Sequence, residues 1–215
     1  MNSAIEKYYD TDYTEEIAGK EMTYTAKTFS NIKYNQKLVD KYSCTGQAAC
    51  WVISDVTGYA LPLSFRQKVW ERQIETWAVE WKGDYLQNWM KQAVKLFNEE
   101  NPELPYMLKY YRINDLKNSK QLLAILSHSS IQTGYTGALK ADAQDNWIID
   151  NHDNKDWYGH SIRFVKATLE DNKLEIKYCD NYEWVNDYMI ITIPDFLNNK
   201  DFFLGWYYCK KIDKK

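Results

Sequence analysis

Nowhere does the sequence approach the ~18 consecutive uncharged apolar residues that a bilayer-crossing helix needs, which excludes an integral helical membrane protein. No export signal is expected either: the opening MNSAIEKYYDTDYTEE carries acids where a leader would carry bases and then an apolar run. A cytoplasmic location in a reducing compartment is therefore expected. No cluster of bases stands out, and 27 Lys and Arg against 30 Asp and Glu leave a net charge of -3, so neither nucleic acid nor a membrane is expected as a partner. The four cysteines, Cys44, Cys50, Cys179 and Cys209, form no CxxC pair. The three histidines, His128, His152 and His160, form no HExxH helix, so no metal site is expected. The hydrolase elbow GxSxG, the phosphate loop GxxxxGK with Ser or Thr after it, and the dinucleotide fingerprint GxGxxG are all missing, and no cofactor is expected. There is no internal repeat and no low-complexity tract. Catalytic chemistry would have to come from Cys, His and carboxylates or amides.

What is present describes a folded body. Hydrophobic residues make up 45% and charged residues 27%, and 215 residues suffice to bury roughly 70% of the unfolded surface without a disulfide or metal staple. Nine Trp, eighteen Tyr and seven Phe exceed what such a core must hold, so some are expected to line a groove or an interface.

Residues 1–34 are polar and without clear periodicity, and read as an extended arm. From Ser43 the run SCTGQAACWVISDVTG has the punctuation of one buried helix of about four turns, closed by Gly58. Phe65, Val69, Ile74, Trp77 and Trp81, then Leu86, Trp89, Met90, Ala93 and Phe97, fall near helical spacing, which predicts two amphipathic helices over 64–98 broken near Gly83. Pro102 and Pro105 close the helical half, and a short helix is expected around 118–127. Beyond it the period becomes two, in SIQTGYTGAL, NWIID, HSIRFVKATL, KLEIKYCD and YMIITI, and strands are expected. The ending from Lys210 to Lys215 reads as a solvated tail. The pattern predicts an α+β fold in which residues 35–215 form one domain, with a helical lobe over about 43–127, an antiparallel sheet lobe over about 128–210 and a cleft between them.

Position can turn a thiol into a nucleophile. At a helix N-terminus the dipole stabilises the thiolate, and a neighbouring imidazolium stabilises it further. Cys44 stands where the first helix should begin, and His160 opens a strand in Tyr158-Gly159-His160-Ser161-Ile162. Here the chain resembles the papain-like cysteine peptidases, especially short bacterial and phage-borne members. Ser43-Cys44-Thr45-Gly46-Gln47-Ala48 is similar to their nucleophile helix start, Asn35-Gln36 to their oxyanion-hole glutamine, and Gly159-His160-Ser161 to their Gly-His-Ala strand. Asp180-Asn181-Tyr182 with Asn186-Asp187-Tyr188 resembles the Asn-Ser-Trp segment and the strand after it.

The resemblance implies a papain-like fold and a thiol protease acting on protein or peptide through a thioester. In that scheme Cys44 is the nucleophile, His160 the base, Asp180 or Asn181 the group that orients the imidazole, and Gln36 an oxyanion donor. Gln36 lies two residues further from its cysteine than the family's usual spacing. Cys50-Trp51-Val52-Ile53-Ser54 offers a second register, similar to the Cys-Trp-Ala-Phe-Ser of plant and lysosomal members. Six residues rotate a helix by ~240°, so Cys44 and Cys50 cannot both meet His160. Two further readings stand beside hydrolysis: a catalytically inactive papain-like scaffold serving a phage or virion as a structural or host-interaction protein, and an aromatic-rich interaction protein. His152 and His128 read as turn or loop residues, and Cys179 and Cys209 as buried thiols.

Overall fold

A computed structural model of the chain describes residues 22–25, 34–40, 42–77, 85–113, 125, 129–136, 139–141, 147–149, 159–170, 173–179, 189–194 and 203–215. The small and apolar run after Ser43 forms helix α1 (Cys44–Thr57), and it stops where the sequence says it should. Gly58 adopts φ 86°, and its N–H closes on the Ser54 carbonyl at 2.9 Å. That left-handed conformation suits glycine because there is no Cβ to collide with the last turn. From Gly46 to Asp55 every residue of α1 is buried, which makes it the helix the rest of the molecule packs around.

The two amphipathic helices expected around Gly83 are α2 (Leu63–Trp77) and α3 (Tyr85–Glu100). Helix α3 buries Met90, Ala93, Val94, Leu96 and Phe97, and Phe97 meets Phe65 of α2 edge-on at 6.4 Å. The inward stripe of α2 differs from the expectation: Phe65, Val69 and Gln73 face the core, while Ile74 is 43% exposed. The cause is the approach of α2 to α1. A Cβ added to Gly46 would stand 2.9 Å from Gln73 Oε1, so the bare glycine is what admits the amide there.

Among the described residues nine strands form one sheet: β1 (Met22–Thr25), β2 (Tyr106–Ile113), β3 (Ile131–Thr136), β4 (Leu139–Ala141), β5 (Trp147–Ile149), β6 (Gly159–Glu170), β7 (Lys173–Cys179), β8 (Met189–Pro194) and β9 (Phe203–Asp213). Their order is β2-β9-β3-β6-β7-β8-β5-β4, with β1 added to β6, and every pairing is antiparallel except β5 with β8. Strand β6 is the busiest. Its first half pairs β3 from Gly159 to Phe164, its second half pairs β1 from Lys166 to Leu169, and β7 runs along it as well.

The strands expected from the period-two runs are present as β3 to β8, whereas β1, β2 and β9 were not anticipated. Lys210 to Asp213, expected as tail, continue β9 and pair with Lys109 back to Tyr106. Lys211 Nζ also donates to the Thr57 carbonyl at 3.3 Å, where a cation suits the negative end of α1. Met22–Thr25 adds to the sheet from within the expected arm. The helix expected over 118–127 lies outside the described residues except Ile125, which is helical and buried. Trp81 and the side chain of Trp77 are also outside them.

Helix α1 rests on β3, β6 and β9, and α3 rests on β2 and β9. Strand β2 ends the sheet, and Asn98 of α3 covers its edge: the side-chain amide donates to the Leu108 carbonyl at 2.9 Å and accepts from the Leu108 N–H at 2.7 Å. An edge strand needs such partners for its outward backbone groups. The result is the expected α+β fold, three α-helices among the described residues packed on a mainly antiparallel sheet.

Candidate active site

Serine at an N-cap ordinarily accepts a hydrogen bond from the first turn of its helix. Ser43 does not: the fully buried hydroxyl donates instead to the Gln36 carbonyl at 3.2 Å, leaving the start of α1 without a side-chain cap. The helical ladder begins with the Gln47 N–H on the Ser43 carbonyl at 3.0 Å, so the N–H groups of Cys44, Thr45 and Gly46 precede it. Orienting N–H groups at a helix start gives the positive end of its dipole to whatever lies there.

Gln36 opens a 3-10 turn, Gln36–Leu38, entered through Asn35, whose side chain accepts from the Lys37 N–H at 2.8 Å. The Gln36 carbonyl accepts from the N–H groups of Val39 and Asp40, both at 2.9 Å, as well as from Ser43. The chain folds back so that Gln36, itself buried, touches the residue before Cys44.

Cys44 is half-buried and not in a disulfide, its Sγ 3.7 Å from Thr45 Oγ1. Cys50 is 0% exposed in the core beneath α1, where burial pushes its thiol up to about 12, against a weaker pull from the Arg66 guanidinium. That guanidinium is held by Gln47 Oε1 at 3.0 Å and covered by the Tyr34 ring at 4.5 Å. Cys209 is buried too, and burial raises its thiol, helped by the nearby Asp55 carboxylate. Thiolate is the reactive form, so of Cys44 and Cys50 only the former has the exposure that reactivity needs.

His160 is the second residue of β6 and pairs with Tyr135 of β3. The residues beside it and beside Cys44 share one side chain. Gln132 of β3, 0% exposed, donates its amide nitrogen to the Thr45 carbonyl at 2.8 Å and to Ser161 Oγ at 3.2 Å, while Ser161 donates to the Thr133 carbonyl at 3.1 Å. The start of α1 and the start of β6 therefore adjoin. Asp180 and Asn181 lie outside the described residues, as do His128 and His152. Cys179, just before Asp180, pairs with Arg163, and β7 runs toward the end of β6 that carries His160.

A second tie joins the same two elements deeper in. Arg163 Nη1 lies 3.0 Å from both carboxylate oxygens of Asp55, Ser130 donates to that carboxylate, and the guanidinium lies 4.7 Å from the centre of the Trp51 ring. Gln132, Asp55 and Arg163 were not singled out in the sequence. The available signal was a lone acid in the apolar run of α1 and a base, Arg163, between Ile162 and Phe164 of β6, opposite charges that burial would force together.

Among the described residues no group of three or more His, Cys, Asp or Glu side chains is arranged to hold a metal, and no helix is long and apolar enough to cross a membrane. No family model and no curated protein matches the chain. Among solved structures it is similar to digestive procathepsin L 3 of the larval midgut of Tenebrio molitor, with a TM-score of 0.58 and 10% identity over 93% of this chain and 72% of that one. That neighbour is a peptidase precursor from an insect gut, not a phage-borne protein, and at this identity the likeness defines the fold alone.

Proposed function

We propose that the chain is a papain-like cysteine peptidase that hydrolyses peptide bonds through a thioester on Cys44. The observation that carries this reading is the shared amide of Gln132, because it joins the residue after Cys44 to the residue after His160. The burial of the rival Cys50 and the fold likeness to a cathepsin precursor support it. In this reading the Cys44 thiolate attacks the scissile carbonyl carbon, and the oxyanion accepts from the Cys44 N–H and the Gln36 side chain. The His160 imidazolium gives its proton to the departing amine, leaving a thioester. Water then attacks with His160 as base, releasing the acid and restoring the thiolate. Asp180 or Asn181 holds the imidazole through its second N–H, a role that a carboxylate or an amide oxygen can fill.

The test is iodoacetamide labelling read by peptide mass, alongside hydrolysis of labelled casein. Cys44 should react fastest at pH 6, His160→Ala should suppress that reaction, and Cys44→Ala should abolish hydrolysis. If Cys44 ionises like an ordinary thiol near pH 8.5 and ignores His160→Ala, the scaffold is inert and the reading fails.

A further inference from the structure

The geometry points to Gln132 as the positioning residue of this site, the side chain that sets the spacing between the nucleophile's helix and the histidine's strand. The inference rests on the peptidase reading and adds a residue to which the sequence had assigned no role.

A carbonyl can only accept, so the 2.8 Å contact with the Thr45 oxygen fixes which end of the Gln132 amide points at α1. The same nitrogen reaches Ser161 Oγ, using its second hydrogen. Ser161 can accept from it because its own hydrogen goes to the Thr133 carbonyl. Every donor in this chain has one assigned acceptor, so the amide cannot turn over without breaking both contacts. Gln132 Oε1, in contrast, is buried with no hydrogen-bond partner. A buried amide that leaves its oxygen unmatched while spending both hydrogens on two different elements is held for those two contacts. The elements are α1 and β6, one residue beyond Cys44 and one residue beyond His160 respectively.

The Asp55–Arg163 tie cannot replace it. Asp55 stands ten residues further along α1 than Thr45, about 15 Å at 1.5 Å per residue, and a tie at that distance fixes how α1 crosses the sheet, not where its first turn lies. Backbone strand pairing cannot replace it either, since β3 and β6 pair with each other but not with α1. A displacement near 1 Å between reacting groups is enough to lower turnover about 100-fold.

The experiment uses the full chain with Gln132→Met, which keeps the volume and removes both donors, and Ser161→Ala, which removes one arm and leaves the Thr45 contact. Two quantities are read: the alkylation rate of Cys44 between pH 5.5 and 9.5, and the split of hydrolysis between kcat and KM. Gln132→Met should lower the Cys44 rate at pH 6 at least tenfold while leaving it within twofold at pH 9.5, where any thiol is ionised, and should lower kcat with KM within twofold. Ser161→Ala should fall between this variant and the native chain, and carries the test alone should Gln132→Met not fold. A structural role would lower the melting temperature without moving the pH profile. Profiles of both variants superimposed on the native one overturn the inference. If the native Cys44 profile is already that of an ordinary thiol, the peptidase reading itself has failed, an outcome distinct from a native profile that depends on His160 but ignores Gln132.

Discussion

Asp55 of α1 and Arg163 of β6 meet through a single guanidinium nitrogen 3.0 Å from each carboxylate oxygen, and both side chains are 1% exposed. Such a pair fixes how a helix crosses a sheet more firmly than it adds stability, because desolvating two ions offsets most of their attraction. Removing one partner is a different matter, since the other is left charged in the core. Asp55→Ala should cost about 3–5 kcal/mol, read from the urea midpoint, and Asp55→Leu with Arg163→Met should regain most of that loss. A double variant as unstable as the single would mean that the charges themselves, not their pairing, are required.

The cysteines divide by burial. With its thiol pushed up to about 12, Cys50 should resist thiol reagents at pH 8 until denaturant opens the core, and Cys209 should behave alike, while Cys44 reacts in the native state. Cys50→Ala should keep hydrolytic activity and cost about 1 kcal/mol in lost packing. Cys44→Ala should abolish activity and move stability by less than ~0.5 kcal/mol, as half-buried positions outside the core do. Retained activity in Cys44→Ala together with loss in Cys50→Ala would reverse the register.

Where the sequence was legible, its signals were local. Helix α1 carries its own start and stop, from Ser43 to Gly58, and the strands from β3 to β8 alternate within themselves. Strand β2 does not announce itself, because Tyr106, Lys109, Tyr110, Tyr111 and Arg112 are amphipathic and blur the two-residue period. Its partner β9 lies about a hundred residues away and carries the basic Lys210-Lys211 near its end, which become strand only because Lys109 and Leu108 lie opposite. Pairings of that separation have no trace in a single chain. The proposed site followed the same rule: Cys44 and His160 were proposed from their sequence neighbours, whereas Gln132 became meaningful only when three elements met around it.

Gly46 and Gln73 offer a cycle in which the sign of a substitution depends on its neighbour. Alanine is favoured over glycine inside a helix by about 1 kcal/mol, but a Cβ at position 46 would stand 2.9 Å from Gln73 Oε1. In the native background Gly46→Ala should therefore be neutral or destabilising by up to ~1 kcal/mol, since the buried amide must shift. With Gln73→Ala in place, the same change should stabilise by about 1 kcal/mol. Thermal melts of the four proteins measure the coupling, and strict additivity would show that the two residues do not constrain each other.

The alkaline pH dependence should carry two opposed limbs from β9. Lys210 is half-buried, and burial pushes its ammonium down to about 8 from the ordinary 10.5. Across that window the unfolded chain holds a proton that the folded chain has lost, so stability rises with pH from about 8 to about 10.5. Tyr207 acts in the other sense. Burial pushes its phenol up to about 12 from 10.0, the folded state keeps a proton that the unfolded state gives up, and stability falls as pH climbs from about 10 through about 12. The buried Cys50 and Cys209 thiols, which burial also raises above the ordinary 9.0, add falling contributions from about pH 9, so urea midpoints should rise from about pH 8 to about 9 and then decline. Lys210→Met should flatten the rising limb and lift stability most at pH 8 and below, where the native protein holds a charge in a partly desolvated place. A rising limb unchanged in Lys210→Met would assign it to another group.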